Sequence, residues 1–260
     1  VILKKLGFEE KRLFGVNLDY SGPQKQIVFT QRFPVTFKSN QSLTRRVYFT
    51  NYFDWMGVIR ENSIYPIIKD FANYAETKEW GMVTNMAELN ILGGIKSSDI
   101  VEGKIWIEDI VGDNNETLTL CYEWRRILQD NKSERVALSK LKTTSVHIAD
   151  HGKAKIERMP SFFTRYMDLM RPMTKEVRPL ERLPEHYKDL NIGQKVQLFK
   201  KGITPSYKVS EKIFSTTLEN SNLIGNIYFS NYAKWIGEVI DSFFYRLINS
   251  YFRDLNTKIE

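Results

Sequence analysis

The chain has 260 residues, of which 42% are hydrophobic and 27% are charged, a composition typical of a globular protein with one large or two medium domains. No apolar run approaches the roughly 20 residues that a membrane-spanning helix needs, so we expect no membrane contact. A lone Cys121 excludes an intramolecular disulfide, and with no secretory signal in the sequence we expect a cytoplasmic protein.

The net charge of +7 and the pI near 9.2 favour an acidic partner. Lysine and arginine are dispersed along the chain, with no long basic run and no nucleic-acid-binding motif. We therefore expect no nucleic-acid partner. An acidic carrier protein, or a phosphorylated cofactor arm, would use the same positive surface.

The first half of the chain predicts a lead segment over residues 1–26, followed by a strand and a helix. Residues 27–38 alternate apolar and polar side chains as a strand does. After a polar break, Asn51 is the predicted N-cap of a helix, which we expect Pro66 to kink or end. The apolar residues of this helix recur at helical spacing: Tyr52, Trp55, Met56 and Ile59.

Four strand-like segments follow the helix, separated by short, turn-rich connections. They cover residues 81–92, 100–111, 118–127 and 136–148. Short connections favour antiparallel pairing, and one helix before four strands favours a curled sheet packed on that helix. The segment 27–158 is therefore predicted to be one α+β domain.

The rest of the chain predicts a linker and a second domain. Residues 159–204 are rich in proline and charge, which is typical of a linker. A strand over 208–218 and a helix from about Asn231 to Phe252 then begin a second domain, residues 205–260. The sequence stops before any strands that would cover this helix, so we expect further sequence or another chain to cover it.

The two predicted helices begin with nearly the same ten residues. Residues 48–57 read YFTNYFDWMG and residues 228–237 read YFSNYAKWIG, and six of the ten positions are identical. The match continues upstream at the same offset of 180, with Thr36, Asn40 and Leu43 on Thr216, Asn220 and Leu223. Repetition at a fixed offset indicates two related domains in tandem.

The segment ENSNLIGNIYFSNYAKWIG at 219–237 resembles the hotdog-fold thioesterases of the 4-hydroxybenzoyl-CoA superfamily, and among them the acyl-carrier-protein thioesterases of enediyne polyketide pathways. The resemblance implies a tandem hotdog, in which each unit is an antiparallel curled sheet wrapped around a long central helix. It also implies a substrate thioester on the phosphopantetheine arm of an acyl carrier protein or CoA, with no other cofactor and no metal. A homodimer or a larger synthase polypeptide would complete the assembly.

The resemblance carries over three catalytic positions, a loop Asn, a helix Tyr and a helix Arg. In the second copy they fall on Asn222, Tyr232 and Ile240; in the first copy they fall on Ser42, Tyr52 and Arg60. Each copy lacks one member, and the two together hold all three. The alternatives are a composite site that joins Asn222 to Arg60, or a pair of sites that has lost catalysis.

Further candidates carry competing structural interpretations. Ser42, Asn51, Asn231 and Glu88 are candidates for binding the substrate, and Glu88 is also a candidate general base. The pattern favours helix caps for the two asparagines, and a strand glutamate commonly faces solvent. Trp55, Gly57, Trp235 and Gly237 are predicted to serve packing. Three potential ligands at a strand end do not make a convincing metal site: His147, Asp150 and His151.

The resulting functional hypothesis is hydrolysis of an acyl thioester in a polyketide or fatty-acid pathway. Asn222, Arg60 and the free amides at a helix start would stabilise the oxyanion. Two alternatives stay open because a fold does not determine an activity. One is a non-catalytic module that binds acyl carriers or scaffolds a synthase, and the other is a hotdog dehydratase or acyltransferase.

Overall fold

The structure is a computed structural model, and it describes residues 17–19, 28–40, 45–112, 115–128, 132–149, 153–170, 212–222 and 226–256. Contacts divide the chain into two compact units, one formed by residues 1–175 with 216–233 and the other by 176–215 with 234–260. The start of the second repeat thus belongs to the first unit. None of the described helices is long and apolar enough to cross a membrane.

A seven-stranded antiparallel sheet dominates the first unit. Its strands are β1 (Asn17–Asp19), β2 (Val28–Pro34), β3 (Trp80–Ile91), β4 (Ile100–Val111), β5 (Thr117–Ile127), β6 (Ser133–Ala149) and β7 (Lys153–Ile156). The order across the sheet is β1-β2-β4-β5-β6-β3, and β7 pairs with β6. The five strands predicted in the first copy are confirmed, and β1 and β7 were not predicted.

Helix α1 (Phe49–Ser63) packs on one face of this sheet. Trp124 of β5 meets Tyr52 and Trp55 of α1, with ring centroids 5.9 and 6.0 Å apart. Gly103 of β4 leaves the room that Trp124 needs, because a Cβ at Gly103 would lie 2.5 Å from the Trp124 ring. A curled antiparallel sheet around one central helix is the α+β arrangement predicted for the first copy. This is a hotdog fold.

The breaks after α1 follow from proline chemistry. Helix α1 ends at Ser63, and a short 3-10 turn over Tyr65–Ile67 contains Pro66, which has no backbone N–H to continue the helix. Helix α2 (Ile68–Lys78) then begins, so the predicted interruption at Pro66 is confirmed.

Part of the predicted linker is a packed helix. Residues Ser161–Met170 form α3, whose buried side chains include Phe163 and Met167. The Tyr166 hydroxyl donates a hydrogen bond of 2.6 Å to the backbone oxygen of Ser63 at the end of α1. The linker interpretation is therefore wrong for 161–170, because the apolar face of this segment completes the core. Residues 171–204 of the predicted linker lie outside the described residues.

The second copy contains a helix but, within its described residues, no strand. Helix α4 (Phe229–Asn256) confirms the predicted helix and starts two residues earlier than expected. Residues 212–217 are not in a strand, so that part of the predicted strand 208–218 is wrong; 208–211 lie outside the described residues. A 3-10 turn over Leu218–Asn220 follows instead. A tandem of two complete hotdog units stays a prediction.

Candidate active site

The start of α4 lies directly against α1. Tyr228, the residue before α4, places its hydroxyl oxygen 2.3 Å from the point where a Cβ on Gly57 would sit. Only a glycine leaves that space on the surface of α1. The predicted packing role of Gly57 is confirmed. The contact also explains part of the repeat, since the first residue of one decapeptide rests on the last residue of the other.

Three polar side chains meet at this contact. The Arg60 guanidinium donates to the Tyr228 hydroxyl at 3.2 Å, and that hydroxyl donates to Oε1 of Glu61 at 2.6 Å. The direct distance between Arg60 Nη2 and Glu61 Oε1 is 3.8 Å, so the tyrosine bridges the two charges. Burial raises the pKa of the Tyr228 hydroxyl. It therefore stays neutral and can both accept and donate a hydrogen bond.

Aromatic rings and a strand hydroxyl hold Arg60 in place. Its guanidinium carbon lies 5.2 Å from the ring centroid of Phe229 and 5.6 Å from that of Tyr228, within the range of cation–π attraction. Nη1 also lies 3.5 Å from Oγ1 of Thr84 on β3. The side chain is 19% exposed. A mostly buried cation is thereby fixed beside the first residue of α4.

The electrostatics at this point favour an anion. The N-terminus of a helix carries a partial positive charge, and its first amide groups have no partner within the helix. Arg60 adds a full positive charge at the same end of α4, an arrangement that is unfavourable unless negative charge balances it. The half-exposed Glu61 balances it in part. The site can therefore stabilise further negative charge that develops on a bound molecule.

Tyr122 of β5 adds a buried hydroxyl to the site. It lies two residues from Trp124 and so projects from the same face of the sheet, toward α1. The side chain is fully buried, and its hydroxyl has no hydrogen-bond partner in the part of the chain that the structure describes. Burial raises the pKa of this hydroxyl, whereas the nearby Arg60 acts to lower it.

Asn222 lies in the loop before α4. Its Oδ1 accepts the backbone N–H of Asn226 at 3.1 Å, and its own backbone N–H donates to the Asn226 oxygen at 2.8 Å. These bonds join Asn222 to Asn226; residues 223–225 lie outside the described residues. The proposed pairing of Asn222 with Arg60 stays a prediction. The structure instead brings Arg60 to Tyr228 and Phe229.

Asn51 and Asn231 make equivalent hydrogen bonds in the two copies. Nδ2 of Asn51 donates to the backbone oxygen of Ser39 at 3.0 Å, and Nδ2 of Asn231 donates to that of Asn220, also at 3.0 Å. Each side chain ties the preceding 3-10 turn to the start of a helix. Asn51 is not the N-cap that was predicted, because α1 begins at Phe49 and the amide donates rather than accepts. Their predicted contact with substrate stays a prediction.

These bonds also correct the alignment of the two copies. Asn51 reaches back 12 residues to its partner, whereas Asn231 reaches back 11. The loop of the second copy is thus one residue shorter, and Ser39 corresponds to Asn220. The matches of Thr36 with Thr216 and of Asn40 with Asn220 at an offset of 180 are therefore wrong. Ser42 and Leu43 lie outside the described residues, so their matches with Asn222 and Leu223 stay predictions.

The two predicted catalytic tyrosines have opposite environments. Tyr52 is 1% exposed and packs edge-on against Trp55 and Trp124, as a core residue does. Tyr232 is 52% exposed on the first turns of α4. The equivalence suggested by the repeat therefore does not extend to their surroundings, and a catalytic role for either tyrosine stays a prediction.

Glu88 lies on the other side of the sheet. It pairs in register with Lys140, which neighbours the buried Leu141, so Glu88 and Lys140 project from the face opposite α1. The structure therefore separates Glu88 from Arg60. Of the residues suggested for a metal site, Asp150 and His151 lie outside the described residues. Within those residues no cluster of metal-binding side chains is present.

Comparison with known proteins gives matches in structure only. No protein-family model and no curated protein matches the sequence. The dynemicin thioesterase matches with 18% identity and a TM-score of 0.48, over 55% of this chain and 96% of that chain. The 4-hydroxybenzoyl-CoA thioesterase from Pseudomonas sp. strain CBS-3 matches with 12% identity and a TM-score of 0.46, over 55% and 98%. A hypothetical protein from Staphylococcus aureus in complex with CoA matches with 13% identity and a TM-score of 0.45, over 64% and 95%.

Sequence reasoning missed three residues of this site: Tyr228, Glu61 and Tyr122. Tyr228 stands first in the repeated decapeptide, and the repetition of a tyrosine nine positions before a glycine was a usable signal. Glu61 follows Arg60 in the sequence, which indicated an ion-pair partner but not a base. Tyr122 carried no signal, because only the folded sheet brings β5 close to the end of α1.

Proposed function

We propose that this chain binds an acyl thioester, carried on the phosphopantetheine arm of CoA or an acyl carrier protein, and hydrolyses it. The observation that supports this most directly is the position of Arg60. Its guanidinium, from the first copy, is held against the start of α4, from the second copy. Two sources of positive potential thus meet where the carbonyl oxygen of a thioester would gain charge.

The proposed chemistry begins with attack of water on the thioester carbonyl carbon. A C–O bond forms and the carbonyl oxygen becomes negative. Arg60 and the first amides of α4 stabilise that oxygen, and such stabilisation is often the largest single contribution to catalysis. The C–S bond then breaks, which releases the acid and the thiol of the carrier arm.

Glu61 supplies the base in this proposal. Its Oε1 accepts the Tyr228 hydroxyl at 2.6 Å, which fixes the carboxylate next to Arg60. The carboxylate takes a proton from the attacking water and returns it to the leaving sulfur. Glu61→Gln keeps the size of the side chain and removes the base, so we expect the rate to fall while binding of the acyl thioester persists.

The test is a hydrolysis assay with the full chain. Acyl-CoA and acyl-carrier-protein substrates are incubated with the protein, and free acid and free thiol are measured by mass spectrometry and thiol titration. We expect Arg60→Ala to lower kcat by about 10²-fold, the usual cost of losing an oxyanion donor. The matched control is Arg32→Ala, since Arg32 sits half-exposed on β2 in an ion pair with Glu102. Equal rates for the Arg60 variant and the wild type would refute this site.

The partner and the pathway belong to the same proposal. The net charge of +7 suits an acidic acyl carrier protein, and binding through it weakens as salt is raised. The resemblance in residues 219–237 suggests a polyketide or fatty-acid pathway. A preference for carrier-bound over CoA-bound acyl groups, lost at high salt, would support the carrier protein as the partner.

One observation favours the non-catalytic alternative. Ile240 occupies the position in the second copy that Arg60 occupies in the first, so the second copy lacks the cation. A protein that has kept acyl binding in one copy and lost it in the other fits a carrier-binding module of a synthase. This alternative would be supported if the protein binds an acyl carrier protein tightly but releases free acid no faster than buffer alone.

A further inference from the structure

Tyr122 is an exception among the buried polar side chains of the core. The Tyr166 hydroxyl donates to the backbone oxygen of Ser63, and the indole N–H of Trp124 donates to Ser139 at 2.7 Å. The Tyr122 hydroxyl alone among the buried hydroxyls of the described residues has no partner. Leaving such a group unpaired lowers the stability of the fold. Buried groups without a partner are rare enough in native proteins to need an explanation.

The surroundings of this hydroxyl define what it can bind. Tyr122 lies on the face of the sheet that packs on α1, and the Arg60 guanidinium and the Tyr228 hydroxyl both act electrostatically on its hydroxyl. The Tyr122 side chain belongs to the hydrophobic core, and the Trp124 ring lies parallel to its ring with centroids 6.1 Å apart. A neutral buried tyrosine is a hydrogen-bond donor at all ordinary pH values. The fitting ligand is therefore an apolar group that carries one oxygen acceptor.

We infer that the Tyr122 hydroxyl donates to the carbonyl oxygen of the bound acyl thioester, beside the Arg60 guanidinium. The inference rests on the proposed function, and it adds a residue of β5 to that site. An acyl thioester satisfies the unpaired hydroxyl with its carbonyl and leaves its chain among apolar side chains. The donor is lost in Tyr122→Phe, which removes only one oxygen atom.

The test compares two ligands that differ in the carbonyl. One is an amide analogue of octanoyl-CoA, which keeps the carbonyl and resists hydrolysis, and the other is the octyl thioether of CoA, which lacks it. Titration calorimetry with the full chain measures both affinities. We expect Tyr122→Phe to weaken binding of the amide analogue by about 10-fold and to leave binding of the thioether unchanged. A ¹³C label on the carbonyl should show a smaller infrared shift on binding to the variant.

Tyr166→Phe is the matched control, because it removes a buried hydroxyl that already has a protein partner. We expect it to lower stability without changing the ratio of the two affinities, whereas Tyr122→Phe should leave stability unchanged or raise it. If both ligands bind and Tyr122→Phe does not change their ratio, the hydroxyl serves another partner such as a buried water, and the inference is overturned while thioester binding stands. If neither ligand binds the wild type, both the inference and the proposed function fail.

Discussion

Helices α1 and α4 begin with nearly the same ten residues, yet they lie in different environments. Met56 of α1 is fully buried, whereas Ile236, at the same place in the repeat, is 56% exposed. The strands β2 to β6 enclose α1, and no strand is described in the second copy. The comparison shows that a repeated helix pattern specifies the helix and the loop before it, but does not determine what surrounds the helix.

The features shared by the copies are the local ones. In both, a 3-10 turn is followed by a helix whose third residue is an asparagine that bonds back to the turn. Both helices also have their tryptophan against a phenylalanine, at 5.7 Å for Trp55 with Phe33 and 5.5 Å for Trp235 with Phe214. Short-range chemistry is thus retained where the long-range partners differ.

The largest expected difference in stability comes from placing a charge at the corresponding position of α1 and of α4. Met56→Asp puts a carboxylate without a partner into the core, and we expect it to cost more than about 4 kcal/mol or to unfold the first unit. Ile236→Asp should change stability by about 0.5 kcal/mol or less, because that side chain is exposed. Urea denaturation followed by tryptophan fluorescence measures both. Similar losses for the two variants would show that α4 is enclosed as α1 is.

Gly57→Ala tests the contact that joins the two copies. An alanine in a helix normally adds stability, but here its Cβ would meet the Tyr228 hydroxyl at 2.3 Å. We expect a net loss of about 1–3 kcal/mol, typical of overpacking, together with loss of the bond from Tyr228 to Glu61. Gly93→Ala is the control, since its Cβ would lie 3.5 Å from Val136, an ordinary contact. A neutral Gly57→Ala would mean that Tyr228 is not held on α1.

A smaller and similar effect is expected from the two loop asparagines. Asn51→Ala and Asn231→Ala each remove a hydrogen bond of 3.0 Å to the preceding 3-10 turn, and Asn51→Ala also removes a local bond of 3.1 Å to the Tyr48 oxygen. We expect each variant to cost about 1 kcal/mol. Because the bonds to the turn match, the losses should agree within about 0.5 kcal/mol, with Asn51→Ala the larger of the two. Thermal denaturation of the two single variants would check this, and a loss confined to one copy would contradict the equivalence drawn from the geometry.

The smallest effect concerns the outer face of the sheet around α1. Burial alone would raise the pKa of Glu123, but the hydrogen bond from Arg125 and the charge of Arg135 outweigh it, and the pKa is lowered. A lowered carboxyl pKa adds stability that is present above the ordinary value of about 4.3 and is lost as the pH falls through the folded value. We expect Glu123→Gln to cost about 1 kcal/mol at neutral pH. Urea denaturation in acid should show the variant and the wild type converging, and a constant difference would exclude the titration of Glu123 as its cause.

The parts of the fold that sequence alone could predict are those with a local period. Alternation predicted β2, the strand-like segment 100–111 agrees with both ends of β4, and helical spacing predicted α1 and α4. Helix α3 was missed because its segment stands next to a proline-rich and charged region, which masked a short apolar face. The shorter loop of the second copy was missed because an ungapped comparison cannot show a deletion.

The site was predicted less completely for a physical reason. Arg60 came from a motif and Glu61 follows it in the sequence, but the Tyr228 hydroxyl that bridges them depends on how α4 meets α1. Tyr122 comes from β5, and Arg60 acts electrostatically on its hydroxyl. Only tertiary packing brings residues from distant parts of the chain together. A sequence pattern that spans ten or twenty residues does not show such contacts.

The fit of Tyr228 onto Gly57 links two positions that are 171 residues apart. A larger side chain at 57 is tolerated only if 228 becomes smaller, and a bulkier ring at 228 needs the glycine to stay. Among natural variants of this protein, the two sites should accordingly change in concert or not at all. A randomised library at both codons, selected for folded protein, would recover that correlation directly.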